Sequence, residues 1–282
     1  MRKGFINMTL LVMLLFPCWV NAEDFVTNEG YTIPQIVYND LLKIFSPARI
    51  ETMPYDNYQQ IMSLNLDFDN VQKDVKYIKT EYNNITGQSV ETEITEAEYN
   101  NLENIPSTMT SYVETNYKKQ VLNLIKTGSA QAYAELSLVW KVQPAVRSFD
   151  VIAMRDANLN LVNGTQTGYQ IYNDGSSSTN SSIRYAFDGT NINNQSNGFG
   201  ISMNLKNGSL SYLECVIDAI YTIEGYAAHV FGSYQHATSD VSLATSKNYT
   251  LDGSGMGHVI LFNNNISSYY DGMQGTHEYI TG

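Results

Sequence analysis

The alternation of side chains between Ala132 and Val142 constrains the fold more than any other stretch. Every even position is apolar, whereas the odd positions are mixed and include Glu135. A period of two predicts a β-strand with one buried face and one face toward water. Pro144 ends the ladder because it has no N–H to donate. The apolar run that follows, residues 149–154, predicts a partner strand across the core, with Trp140 as a core anchor.

Further short strands follow this segment, separated by turn residues. Asn163-Gly164, Asp174-Gly175 and Asn207-Gly208 predict tight turns. Residues 211–224 fit a helix or a strand, and the neighbouring strands favour a strand. Short strands joined by such turns are typical of an antiparallel sandwich or barrel. The sequence therefore predicts a mainly β fold, with an antiparallel β-sandwich (jelly-roll-like or similar) over residues 107–282.

Residues 23–106 have a different character and predict a small α+β segment. Thr32-Ile33-Pro34 begins one helix and a second is expected from about Asp56 to Leu64. A hairpin follows over residues 75–94, and Thr95 to Glu98 has the pattern of a capping box at the start of a short helix. Pro106 is the expected boundary with the sandwich.

The first 22 residues predict a signal peptide. Arg2 and Lys3 precede an apolar run, and Ala22 fits cleavage before Glu23. No later segment is apolar for long enough to predict a transmembrane helix. Cys215 is then the only cysteine left, so no intramolecular disulfide is predicted, and its apolar neighbours predict a buried thiol. An exported chain without disulfides but rich in asparagine favours a bacterial source and unused glycosylation sequons.

Charge excludes some partners. Loss of residues 1–22 leaves 14 basic and 28 acidic residues, a net charge of −14. Nucleic acids and anionic membrane surfaces require basic patches, and none is present in the sequence. The expected partner is a glycan or an extracellular protein.

Tyrosine is the unusual residue type, with 21 Tyr against 10 Phe and 2 Trp. Aromatic side chains beside loops can stack on sugar rings or anchor a protein partner, although tyrosine is also common in strands. The predicted ligand-binding residues are Tyr169, Tyr172 and Tyr234, with Arg147 in a cleft as a further candidate. For Arg147 the structural alternative is an ion pair with Asp150 that fixes the corner after Pro144.

No motif predicts catalysis or a metal centre. The four histidines (His229, His236, His258 and His277) lack paired metal-ligand spacing, although adjacent strands could bring them together. His236 lies near Ser233 and Asp240, the residue types of a nucleophile system, but outside any recognised elbow. The loop from Asp188 to Asn197 offers oxygen ligands for calcium. It has a single carboxylate, so a solvated loop and no cofactor are expected.

Three functions are compatible with these features. The first is a secreted, non-catalytic binding or surface-interaction protein. The second is a secreted carbohydrate-active hydrolase with paired carboxylates, drawn from Glu135, Asp150, Asp156, Asp188, Glu214, Asp218 and Glu224. The third is a secreted toxin that assembles in membranes, with Val241 to Phe262 as an amphipathic hairpin. The absence of a catalytic motif favours the first.

Overall fold

The computed structural model describes residues 23–83, 85–104, 113–128, 130–252, 259–273 and 275–281. The predicted signal peptide, the boundary at Pro106 and His258 lie outside these ranges. The helices are α1 (Gln35–Leu41), α2 (Pro47–Glu51), α3 (Tyr55–Ser63), α4 (Glu96–Asn100), α5 (Leu243–Ser246) and α6 (Asn264–Ser267), with a 3₁₀ turn at Asn101–Asn104. None of the helices in the described ranges has the length and apolar character needed to cross a membrane.

Strands make up most of the ordered structure. In chain order they are β1 (Phe25–Val26), β2 (Thr32–Ile33), β3 (Gln72–Asn83), β4 (Gln88–Ile94), β5 (Val113–Thr127), β6 (Gln131–Val142), β7 (Phe149–Ala157), β8 (Leu159–Leu161), β9 (Thr167–Asn173), β10 (Ser181–Tyr185), β11 (Ile192–Gln195), β12 (Gly198–Asn204), β13 (Tyr212–Ile223), β14 (Ala227–Gln235), β15 (Tyr249–Leu251), β16 (Ile260–Phe262) and β17 (Thr276–Thr281).

Two antiparallel sheets face each other. The large sheet has the order β10-β9-β13-β6-β5-β3-β4, with β8 paired to β13, and the small sheet has the order β11-β12-β7-β14-β17. The remaining pairs, β1–β2 and β15–β16, are two-stranded. The predicted mainly β, sandwich-like fold is confirmed, and so is the strand, rather than helix, over residues 212–223.

The main core lies between the two sheets. The even positions of β6 contribute Leu136 and Trp140 to it, and β7 contributes Ile152 and Met154 from the opposite sheet. The contact is close, since a Cβ added to Gly232 would lie 2.6 Å from Leu136 Cδ1. The even face of the Ala132–Val142 pattern is therefore the buried face that the sequence predicts.

The other face of β6 is also buried, so the prediction that it faces water is wrong. Tyr133 packs with Ile125 and Ile220 of the neighbouring strands against the helical layer formed by α1, α2 and α3, including Leu41 and Ile50. Alternation within one strand cannot show whether a distant segment covers its polar side. Here the N-terminal segment does so, and Glu135 is buried beneath it.

The N-terminal segment also continues the large sheet. β3 pairs with β5 along its whole length, from Gln72↔Leu124 to Asn83↔Val113, and β4 pairs with β3 at the edge. The capping box at α4 is present: Glu98 N–H donates to the Thr95 hydroxyl, and the Glu98 carboxylate accepts from the Thr95 N–H. Pro47 begins α2, where its missing N–H leaves no bond unmade.

The segment from Val241 to Leu251 is not the long strand that the sequence predicts. Ser242 caps α5 through Thr245 N–H, and only Tyr249–Leu251 then extends as β15. β15 and β16 have three residues each. They pack on the outer face of the small sheet, against Val151, Ala153 and Phe231. The amphipathic hairpin with strands of membrane-spanning length is therefore a wrong prediction for these residues.

Substitution of Leu136 by Ala should lower the free energy of unfolding by about 2–5 kcal/mol, because it removes a side chain packed between both sheets and leaves a cavity. Urea unfolding followed by circular dichroism measures the change. Leu261→Ala, at a leucine with 45% exposure, is the matched control and should change stability far less. Equal losses in the two variants would contradict this account of the core.

Candidate functional site

A polar groove lies where β3, β5 and β17 meet. Its volume is about 430 Å³, within the range of about 300–1,000 Å³ that is common for small-ligand sites. Its lining residues come from three separate parts of the sequence: Asp67, Asn70, Gln72, Lys126, Tyr279, Ile280 and Thr281.

The polar wall of the groove is held by local hydrogen bonds. Asn70 Nδ2 donates to Asp67 Oδ2 at 2.8 Å, and the Asp67 N–H donates to the Lys126 carbonyl at 3.2 Å. These bonds tie the loop before β3 to the end of β5. Asn70 and Gln72 remain exposed. Their amides offer both donors and acceptors, and Asp67 and Lys126 carry opposite charges, so the wall suits a neutral, hydroxyl-rich ligand.

The end of β17 also lines the groove, and Tyr279 is the aromatic residue of this part. Tyr279 has 51% exposure, and its ring is the outermost member of a row on the outer face of the small sheet. The row exists because β14 and β17 pair in the register His229↔Tyr279 and Phe231↔His277, which places alternate residues on one face. We call these four side chains the aromatic row.

Close packing supports Tyr279 from behind. Its ring centroid lies 5.7 Å from that of His229, and the His229 and His277 centroids are 5.2 Å apart. His277 stacks on Phe231 at 4.4 Å, and the Arg155 guanidinium lies over Phe231 at 3.9 Å. The exposed ring is therefore the end of a packed assembly, which lowers the conformational entropy lost when a ligand binds it.

The residues predicted as ligand-binding do not line this groove. Tyr169 and Tyr234 are both 0% exposed, so their predicted exposure beside loops is wrong. Tyr172 is half-buried and packs on the main core. Arg147 donates to the carbonyls of Pro144 (2.8 Å) and Lys206 (2.7 Å). Two of these side chains are thus in the interior, Tyr172 packs on the main core, and Arg147 is bonded to backbone carbonyls. Their role in ligand binding stays a prediction.

Beneath α2 lies a charged network that sequence reasoning missed. Arg49 is completely buried and donates to Asn57 Oδ1 at 2.5 Å and to Asp218 Oδ2 at 3.4 Å. Its guanidinium carbon lies 3.7 Å from the centre of the Tyr169 ring. Glu135 lies directly across the ladder from Asp218. Burial raises the pKa of Glu135 well above its ordinary value, and the charge of Arg49 offsets this only in part.

Carboxylates from the predicted hydrolase set thus converge here without facing a groove. Glu135, Glu214 and Asp218 are at most 3% exposed. Asp218 Oδ1 accepts from the Thr167 hydroxyl at 2.7 Å, and Glu214 Oε2 accepts from Ser46 at 2.6 Å. These bonds tie the helical layer and the strands together. A signal was present in the sequence, since Glu135, Glu214 and Asp218 share strands with many apolar residues.

A second buried network surrounds His236, which pairs with Asp150 instead of Asp240. Asp150 accepts from His236 Nδ1 at 2.9 Å, from the Ala237 N–H at 2.9 Å and from the Tyr234 hydroxyl. Burial lowers the pKa of His236, but the charge and hydrogen bond of Asp150 outweigh it, so this pKa is raised. The predicted Arg147–Asp150 pair is replaced by these contacts.

An oriented imidazole beside a buried carboxylate is a familiar arrangement for a general base. The depression that His236 lines with Asp271 and Asn116 has a volume of about 10 Å³. That is room for about one water molecule. The geometry therefore fits a polar network linking the sheets better than a substrate site.

The network continues to Lys118, which is 0% exposed. Its ammonium group lies 2.9 Å from Asp271 Oδ2 and 3.3 Å from Glu91 Oε1. Burial raises the pKa of Glu91, and although Lys118 opposes this, the result is a pKa of about 7. The negative charge of Asp271 adds to the effect of burial on Glu91.

The calcium site near Asp188 stays an untested prediction. Asp188 is exposed, and the amides of the loop bond to protein: Asn193 Nδ2 donates to the Lys247 carbonyl (3.0 Å) and Gln195 Nε2 to the Tyr249 carbonyl (3.1 Å). Within the described ranges, no group of three or more His, Cys, Asp and Glu could hold a metal ion. His229 and His277 do meet on adjacent strands, with Nδ1 and Nε2 3.0 Å apart.

Comparisons with known proteins add little to this geometry. No protein-family model matches the chain, and no curated protein sequence does so. One solved structure with local similarity is the enzymatically active domain of tailspike protein 4 of bacteriophage CBA120. It is 12% identical, with a TM-score of 0.22, and the match covers 57% of this chain and 19% of that chain. A TM-score this low carries no argument about fold or function.

Substitution of Arg49 by Met should lower the free energy of unfolding by about 3–5 kcal/mol, because it leaves Asp218 and its neighbours buried without their cation. Chemical denaturation at pH 7 measures this. Arg184→Met is the matched control, since Arg184 pairs with Asp56 at 2.9 Å but both side chains are exposed. Its loss should be within about 1 kcal/mol. Similar values for both variants would contradict the expected penalty for leaving Asp218 buried without its cation.

The pKa of Glu91 predicts a pH dependence of stability. A pKa of about 7 in the folded chain lies above the ordinary value of 4.5. The stabilisation from this group is therefore full below about pH 4.5 and is lost as the pH rises through 7. Glu91→Gln, which mimics the protonated form, should raise the free energy of unfolding at pH 8 by about 2–3 kcal/mol relative to wild type and leave it little changed at pH 4.5.

Urea titrations of wild type, Glu91→Gln and Glu93→Gln at both pH values test this. Glu93 is exposed on the same strand and should show no gain at pH 8. A loss of stability at pH 8 in Glu91→Gln would mean that the ionised Glu91–Lys118 pair stabilises the fold, contrary to the prediction.

Proposed function

We propose that this chain is a secreted, non-catalytic glycan-binding protein and that Tyr279 and the polar groove form its binding site. The observation that carries the proposal is that the exposed Tyr279 lines a groove of about 430 Å³ together with Asn70, Gln72, Asp67 and Lys126. Sugar rings present apolar C–H faces to aromatic rings and hydroxyl groups to amides and carboxylates.

Electrostatics supports a neutral glycan over a polyanion. The net charge after loss of residues 1–22 is −14, which repels nucleic acids and acidic polysaccharides at long range. Lys126 and Asp67 balance each other within the groove. A neutral polysaccharide meets no such repulsion, and its hydroxyls can bond to both signs of charge.

The alternatives have less support. Hydrolysis by paired carboxylates requires acids that face a groove, and Glu135, Glu214 and Asp218 are buried under α2. The toxin hypothesis depended on a long hairpin over Val241 to Phe262, where α5 interrupts the predicted strand. A protein partner at the same groove remains the other occupant that an exposed tyrosine can anchor, and the binding experiment separates it from a glycan.

Tyr279→Ala should weaken binding to an insoluble polysaccharide at least tenfold, because it removes the exposed ring from the groove wall. Co-sedimentation of residues 23–282 with cellulose, chitin and isolated bacterial cell walls measures binding. Tyr226→Ala is the matched control: Tyr226 is 80% exposed and does not line the groove. Asn70→Ala should weaken binding by a smaller factor.

Three outcomes are informative. Saturable binding that is lost in Tyr279→Ala and kept in Tyr226→Ala supports the proposal. Binding that survives Tyr279→Ala but is lost in Tyr172→Ala would return the site to the tyrosines predicted from the sequence. No binding of the wild-type chain to any of the three materials contradicts the glycan proposal.

A further inference from the structure

We infer that the His229–His277 pair is a proton-operated switch that sets the position of Tyr279, and hence the shape of the groove. The effect of the switch on glycan binding rests on the proposed function. The switch itself is a property of the protein and can be tested without a ligand. The two imidazoles lie on β14 and β17, directly behind the exposed ring.

The geometry of the pair admits only one proton between the two rings. His229 Nδ1 and His277 Nε2 are 3.0 Å apart, a hydrogen-bond distance in which one nitrogen donates and the other accepts. The ring planes are within 15° of parallel. If both rings were cations, each facing nitrogen would carry a hydrogen, and two N–H groups and two positive charges would face each other. The rings must then separate.

Separation of the rings must disturb Tyr279. Its ring contacts both members of the pair, with centroid distances of 5.7 Å to His229 and 6.2 Å to His277. On the far side, His277 is stacked against Phe231 at 4.4 Å, and Arg155 covers that ring. The His277 ring is therefore confined on its inner side. When the two imidazole rings separate, the movement is toward the exposed Tyr279.

The charges around the pair oppose a second proton. Arg155, on β7, is the nearby cation. Asp74, on β3, is a nearby anion, and its Oδ2 accepts from the backbone N–H of His277 at 2.9 Å. Burial, followed by the charge of His229, lowers the pKa of His277, and Arg155 adds to this while Asp74 opposes it.

Two further acids lie close to these groups. Glu278 is next to His277 on β17, and burial together with Asp74 raises its pKa. Asp156, next to Arg155 on β7, has a pKa raised to about 6 by burial. Both therefore lose negative charge as the medium becomes acidic, and neither supplies the anion that a doubly protonated pair would require.

The direction of the pH effect follows. Free histidine has a pKa of about 6.5, and the pKa of His277 lies below it. The proton that would make His277 a cation therefore binds only below that value, and the contact is lost as the pH falls. The groove should therefore have its described shape at neutral pH and a displaced Tyr279 under mildly acidic conditions.

NMR of the full-length mature chain, ¹³C-labelled in its tyrosine rings and histidines, tests the switch from pH 8 to pH 4.5. We expect the Tyr279 ring signal to shift with the second protonation of the pair, at a midpoint below 6.5. The shift should disappear in both His277→Gln and His229→Gln, two variants that keep a hydrogen-bonding side chain. It should persist in Glu278→Gln, the control for a neighbouring titrating acid.

Two results would overturn the inference. One is a Tyr279 signal that stays fixed while both histidines titrate, and the other is an unchanged Tyr279 shift in both glutamine variants. Co-sedimentation with the polysaccharide materials at pH 7.5 and 5 provides the separate readout. At least tenfold weaker retention at pH 5, absent from His277→Gln, supports control of binding. If the Tyr279 signal moves but no material is retained at either pH, the switch stands and the glycan proposal fails.

Discussion

The structure depends on both faces of the large sheet being covered. The small sheet covers one face and the helical layer covers the other, and the contacts of the buried Arg49 guanidinium hold the helical layer in place. Without the helical layer, the odd face of β6 would present Tyr133 and Glu135 to solvent. Arg49 instead stacks on Tyr169 and bonds to Asp218, while Ser46 of the same layer bonds to Glu214. A buried ionic network contributes little net stability compared with an apolar core, but it tolerates few alternative arrangements. Its main effect is to define one position of the helices on the sheet.

The second buried network does the same between the two sheets. Asp150 and His236 from the small sheet and its following loop meet Trp140 and Lys118 from the large sheet. With these two networks enclosed, the outer end of the β14–β17 pair is the part of the small sheet where aromatic side chains reach solvent beside a groove. The interior is enclosed, whereas Tyr279 is exposed at the edge. This difference is the physical reason for proposing Tyr279 as the ligand-binding residue.

Much of the fold could be predicted from local patterns. Alternation identified β6, turn residues separated the strands that follow, and the Thr95–Glu98 spacing identified α4. The errors have a common origin, because they depend on which distant segment covers a given face. Glu135 looks like a solvent-facing residue until the helices are placed over it. Val241 to Leu251 alternates like a strand, but the Ser242 cap favours a helical turn.

The candidate site was harder to predict from the sequence for the same reason. Asp67, Lys126 and Tyr279 lie far apart in the chain, and no motif connects them. The convergence of His229 and His277 was foreseeable as a possibility of adjacent strands, but only the register of β14 with β17 brings them together. Tyr169, Tyr172 and Tyr234 are close to loops in the sequence, but proximity to a loop does not determine the exposure of a side chain.

The position of β17 has a consequence for how the chain folds. Hairpins such as β3–β4 and β5–β6 join neighbours in sequence and can form early. In contrast, β17 must pair with β14 and donate a hydrogen bond to Asp74, about 200 residues away in the chain. The groove contains residues from the strands on both sides of that contact, so it cannot form before these distant parts of the chain meet. A ligand held there would bind the finished fold alone and, by mass action, would slow the escape of molecules toward incompletely folded states.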